Sequence, residues 1–126
     1  MLQDSVTLGN FLGAQANRRG LRLAHDTHFD AGNWELRWWK GKALHRLDFH
    51  PLHNGTLAIT HYTDHFTFFP RITRWAHDQI PMFPYPAHIE WERVGTLQFP
   101  LAERDVSKYL DRSTAAEPAA ANSDQL

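Results

Sequence analysis

Residues 25–66 read HDTHFDAGNWELRWWKGKALHRLDFHPLHNGTLAITHYTDHF, and this stretch holds seven of the chain's nine histidines and three of its five tryptophans. Apolar and polar residues alternate through most of it, the period of a β-strand and not of a helix. Four strands are expected, within LRLAHDTHF (21–29), NWELRWWK (33–40), KALHRLDFH (42–50) and TLAITHYTDHFTFF (56–69). The connectors DAGN, KGK and PLHNG suit tight turns. Asn54-Gly55 is the strongest of them, because both central residues of a type I′ turn take positive φ. The expected product is an antiparallel meander.

Two-residue turns then set a register. A turn at Gly41-Lys42 places Trp38 opposite His45, Leu36 opposite Leu47 and Trp34 opposite Phe49. A turn at Asn54-Gly55 places Phe49 opposite Thr60, Leu47 opposite Tyr62 and His45 opposite Asp64. A turn at Ala31-Gly32 places Phe29 opposite Trp34 and Thr27 opposite Leu36. One face then collects Leu21, Leu23, Phe29, Trp34, Leu36, Trp38, Leu47, Phe49, Ala58 and Tyr62. A slip of one residue would scatter this apolar set over both faces.

The flanking segments supply the cover. Val6, Leu8, Phe11 and Leu12 lie on one side of an N-terminal helix that Asp4 or Thr7 caps and Gly20 ends. RITRWAHDQI (71–80) spaces Ile72, Trp75, Ala76 and Ile80 for one or two helical turns. PMFPYP (81–86) has three prolines and cannot be a regular element. AHIEWERVGTLQF (87–99) reads as a further strand with Ile89 and Trp91 on one face. PLAERDVSKYLDR (100–112) reads as a terminal helix buried along Ala102, Val106, Tyr109 and Leu110. The fold class is therefore α+β: an antiparallel β-meander of four to five strands, with an N-terminal and a C-terminal helix packed on one face in two layers. Residues 1–112 form a single domain, and the small, polar run 113–126 is a disordered tail.

Composition narrows the function. Thirteen basic residues against fourteen acidic ones leave a net charge of −1, which gives no long-range attraction for a phosphate backbone, so nucleic acid is not the expected partner. No segment approaches the roughly 20 apolar residues of a membrane span. The chain has no cysteine, which removes disulfides, thiolate metal sites and cysteine nucleophiles and fits a soluble, cytoplasmic protein. Signatures of phosphate-binding loops, dinucleotide binding and HExxH metal sites are absent.

The solvent face of the expected sheet carries the candidate sites. His28, Glu35, Asp48 and His61 line up across four strands, with imidazole and carboxylate donors suited to a divalent metal such as zinc. Such a row spans about 14 Å, too far for all four to hold one ion. His45 beside Asp64 is the arrangement of a histidine base oriented by a carboxylate, without a nucleophile in a recognisable setting. Trp39, flanked by Arg37 and Arg46 on the polar face, has the composition of a protein-contact anchor. The leading expectation is a non-enzymatic protein-binding module using Trp39, Arg37, Arg46 and Asp48, extended by Phe83 and Tyr85, with no cofactor. The alternative is a metal-binding protein or metal-dependent enzyme built on the histidine–carboxylate row. An exposed edge strand would also permit a homodimer, though nothing in the sequence selects one.

Overall fold

The computed structural model describes residues 1–26, 32–67, 70–80 and 85–115. Its elements are α1 (Ser5–Arg19), β1 (Arg22–Asp26), β2 (Asn33–Lys40), β3 (Ala43–Pro51), β4 (Thr56–His65), α2 (Pro70–Gln79), β5 (His88–Gln98) and α3 (Glu103–Ala115). The five strands form one sheet in sequence order, each antiparallel to the next. The architecture is α+β.

Helix α1 starts where its side chains can close the first turn. Asp4 accepts from the Thr7 amide at 2.9 Å, and the Thr7 hydroxyl oxygen accepts from the Asp4 amide at 3.1 Å, a reciprocal cap that satisfies two otherwise unpaired donors. It ends at Gly20, whose φ of 69° is the left-handed conformation that glycine adopts without steric cost. Leu8, Leu12 and Ala16 face the sheet. There they join Leu36, Leu47, Phe49, Leu57 and Ile59, with Val106 and Leu110 of α3 completing the cluster. Full burial of each large apolar side chain contributes about 1.5–3 kcal/mol. Gly9 lets α1 lie close on the sheet, since a Cβ there would overlap the Trp34 indole. The indole NH in turn donates to the Ser5 carbonyl at 3.0 Å, and Arg19 pairs with Asp111 at 2.6 Å to tie α1 to α3.

The β2–β3 hairpin has the expected register, with Trp34 opposite Phe49, Leu36 opposite Leu47 and Trp38 opposite His45. The β3–β4 register is corrected by one residue: Phe49 faces Ile59, Leu47 faces His61 and His45 faces Thr63. The cause is the turn. Strand pairing closes on Leu52 and Thr56, Gly55 donates to Leu52 O at 3.2 Å, and Gly55 takes φ of 80°. This is a three-residue loop ending in a left-handed glycine, not the two-residue turn expected at Asn54-Gly55. One extra loop residue inverts every side chain of β4. Leu57 and Ile59 enter the core in place of Ala58 and Tyr62, and the larger apolar area favours that exchange.

The β1–β2 register is corrected by four residues, which keeps each β1 side chain on its expected face. Leu23 faces Leu36 in place of Thr27, and His25 faces Trp34 in place of Phe29. Thr27, Phe29 and the Ala31 turn position lie outside the described residues.

Two helices differ from expectation. Helix α2 buries Thr73 and Ala76 and leaves Ile72 and Trp75 exposed, so much of its expected apolar stripe points away from the protein. Helix α3 continues to Ala115, past the expected boundary at 112, and Thr114 Oγ1 donates back to Leu110 O at 2.7 Å. The remaining tail, 116–126, lies outside the described residues.

Candidate functional site

The sheet face opposite α1 and α3 carries a lattice of charges. Glu35, Asp48 and Asp64 are buried there, and unpaired carboxylates in such surroundings would cost several kcal/mol each. They are not unpaired. Arg37 Nε donates to Glu35 Oε1 at 2.7 Å, Arg46 Nη2 donates to Asp64 Oδ1 at 2.8 Å, and Arg46 Nη1 lies 3.8 Å from Glu35 Oε2. Arg46 also stacks on the Tyr62 ring, 4.6 Å from its centroid. Asn33 donates to Asp48 Oδ2 at 3.4 Å, and its oxygen accepts from His50 Nδ1. These side chains border a shallow depression of about 250 Å³ lined by Asn33, Asp48, His50, Thr60, Tyr62 and Arg93.

Trp39 is half-buried in one corner of this face. The Phe66 ring lies 5.4 Å from it, and the Arg74 guanidinium of α2 sits 5.6 Å above the indole while donating to Gly41 O at 3.1 Å. Helix α2 thus occupies the corner where the sequence suggested an open anchor. Tyr85 is exposed just before β5. Phe83 and the rest of 81–84 lie outside the described residues, so the role of the proline-rich segment is not assigned.

The metal row does not assemble as drawn. Glu35 and Asp48 are cross-strand partners, but the register of β4 puts His61 beside Leu47 on the helix-covered face. His28 lies outside the described residues. Among the described residues no group of three His, Asp or Glu side chains is placed to hold an ion.

His61 instead joins a second polar cluster on the helix-covered face, with His45 and Trp38. His45 Nδ1 and His61 Nε2 are 3.0 Å apart, and Trp38 stacks on His45 with ring centroids 5.4 Å apart. Burial, reinforced by the charges of His61 and Lys40, pushes the His45 pKa down to about 4. Burial also lowers His61, against the opposing pull of Glu92. The inferred His45–Asp64 pair is corrected as well, since Asp64 lies on the other face and binds Arg46. His25, at the other end of the sheet's helix-covered face, stacks on Trp34 with ring centroids 3.8 Å apart, while Trp38 and His45 stay paired.

Strand β5 is the sheet's second edge. From His88 to Arg93 all six side chains are exposed, and Trp91 is 66% exposed in a strand whose outer side pairs with no other strand among the described residues. Ile89 shares the polar-lattice face with Trp91, while His88, Glu90 and Glu92 point to the other. A bulge at Val94 follows, where Ile59 pairs Gly95 and Thr60 pairs Arg93. Gly95 makes room for the Tyr109 hydroxyl, which a Cβ would overlap. Sequence reasoning placed Ile89 and Trp91 on one face but did not weigh their position. The signal was available: the last strand of an open meander has one free edge. Comparison with protein-family models, with curated proteins and with solved structures finds no match for this chain.

Proposed function

We propose that the chain is a small non-enzymatic interaction module that accepts an extended segment of another protein along the outer edge of β5. The observation that carries this is the six-residue run His88–Arg93, exposed along its length on an edge that pairs with no other strand among the described residues and presenting Ile89 and Trp91. A free edge offers a row of backbone donors and acceptors, and natural proteins ordinarily shield long ones with lysine, proline or a bulge. Here the bulge lies past the run, at Val94, and the run's own charges, Glu90, Glu92 and Arg93, restrict which strands can pair with it. Strand addition uses such edges, with main-chain hydrogen bonds for affinity and alternate side chains for specificity.

The contact proposed for Trp39 moves to Trp91 on the same sheet face. Trp39 is already engaged by Phe66 and Arg74, and Arg46 is engaged by Asp64, Glu35 and Tyr62. In this reading Arg37, Arg46 and Asp48 hold the sheet face in shape, and Tyr85 extends the surface along the chain from β5. No helix is long and apolar enough to cross a membrane among the described residues. The lack of cysteine supports a cytoplasmic location for the module.

A photoreactive residue at position 92 tests the reading in extract of the source cells. The expected result is a cross-linked partner that is absent when the probe sits at exposed Val6 and is lost in Trp91→Ala. That variant should keep its stability within about 0.5 kcal/mol, as exposed substitutions do. Equal cross-linking from positions 6 and 92, or full retention in Trp91→Ala, would count against it.

A further inference from the structure

We infer that the segment β5 accepts comes from a different protein and alternates basic with apolar residues, ending in an acid opposite Arg93. The inference rests on the edge-pairing function proposed above and specifies its partner. Residues directly opposite each other in paired strands share a face and lie about 5 Å apart, so each β5 side chain selects its neighbour by charge and polarity. Glu90 and Glu92 point to the helix side and call for lysine or arginine. Ile89 and Trp91 point to the other side and call for apolar or aromatic residues. Arg93 is held by Thr60, whose hydroxyl accepts from its Nε at 3.0 Å. No carboxylate pairs with it among the described residues, which leaves both terminal nitrogens for an acid on the added strand.

The surface beside the edge agrees with this pattern. A depression of about 230 Å³ is lined by His61, Thr63, Glu90, Trp91 and Glu92. Basic side chains opposite Glu90 and Glu92 would extend over it. Its charged lining is Glu90 and Glu92; His65 and His88 lie 3.4 and 3.6 Å from Glu90, and among the described residues no lysine or arginine forms an ion pair with either glutamate.

The same charges argue against a second copy of this chain. Symmetric antiparallel pairing centred on Trp91 sets Glu90 against Glu92 twice. Centring on Glu90, Glu92 or Arg93 sets each of those charges against itself. Like charges directly opposite are destabilising, so these four registers carry a penalty that a basic strand avoids. Centring on His88 or Ile89 carries the pairing off the exposed run to Pro86, which has no amide to donate.

The test uses the full chain and labelled ten-residue peptides that read as the same alternation in either direction. One alternates lysine with valine, one alternates glutamate with valine, and one has the lysines and valines in two blocks. The lysine–valine peptide is expected to bind about tenfold tighter than either of the others. Glu90→Lys combined with Glu92→Lys, both exposed positions, is expected to reverse the preference toward the glutamate peptide. Equal or tighter binding of the glutamate peptide to the native chain would overturn the charge code while leaving edge pairing in place. Binding of none of the three, or a homodimer joined through β5 in sedimentation with cross-linking, would overturn the inference together with the function it rests on. An acid added opposite Arg93 should strengthen binding to the native chain and not to Arg93→Ala; equal gain in both would remove that part of the pattern.

Discussion

His45 and His61 sit 3.0 Å apart beside the Trp38 indole, and both imidazoles are held neutral by their surroundings. The consequence is a pH-dependent stability with a definite sign. In the unfolded chain a histidine takes up its proton near 6.5, whereas folded His45 does so only near 4. Between those values the unfolded state binds more protons, so the stabilising contribution is complete above about pH 6.5 and is lost as the pH falls toward 4. His61 shifts in the same direction and adds to the loss. The melting temperature of the native chain should therefore fall over this interval, and His45→Gln should flatten the fall. A native profile that is level from pH 6.5 to 4 would contradict the burial assigned to this pair. The Trp38–His45 pairing was legible from the Gly41-Lys42 turn, but the approach of His61 was not, because it depends on which side of β4 carries His61. A single loop residue decides that.

The β3–β4 hairpin shows how much an element can hide. Alternation correctly marked the strands, and the Gly41-Lys42 turn fixed β2 against β3 because a two-residue link leaves one choice. Asn54-Gly55 invited the same treatment. The link instead begins at His53, with Gly55 as its left-handed third residue. The deciding signal was present in the strand and not in the turn: Leu57 and Ile59 share a parity, and burying them exceeds what Ala58 and Tyr62 could offer on that side. The charged face shows the same logic, since the corrected register brings Asp64 to Arg46. Ile59, fully buried, provides the test. Ile59→Ala should destabilise by about 2–5 kcal/mol in denaturant unfolding. A loss no larger than that of an ordinary surface substitution, about 0.5 kcal/mol, would return Ile59 to solvent and restore the two-residue turn.

At the scale of the molecule the sheet is covered unequally. Helices α1 and α3 bury one face around Phe49 and Leu47, α2 covers a corner of the other, and β5 is left at the margin with Ile89 and Trp91 exposed. The two-layer α+β plan was readable from periodicity, caps and turn residues alone. Which tryptophan stays exposed was not, because exposure is a property of the assembled layers: Trp39 and Trp91 lie on the same sheet face, yet one meets α2 and the other meets solvent. The central claim is that the free edge of β5 accepts a strand. Amide hydrogen exchange, with and without the lysine–valine peptide, measures this residue by residue. The account predicts slowed exchange confined to the outward amides of His88–Arg93, with the amides of β1 at the opposite edge unchanged. Protection at β1, or bound peptide with no change in β5, would contradict it.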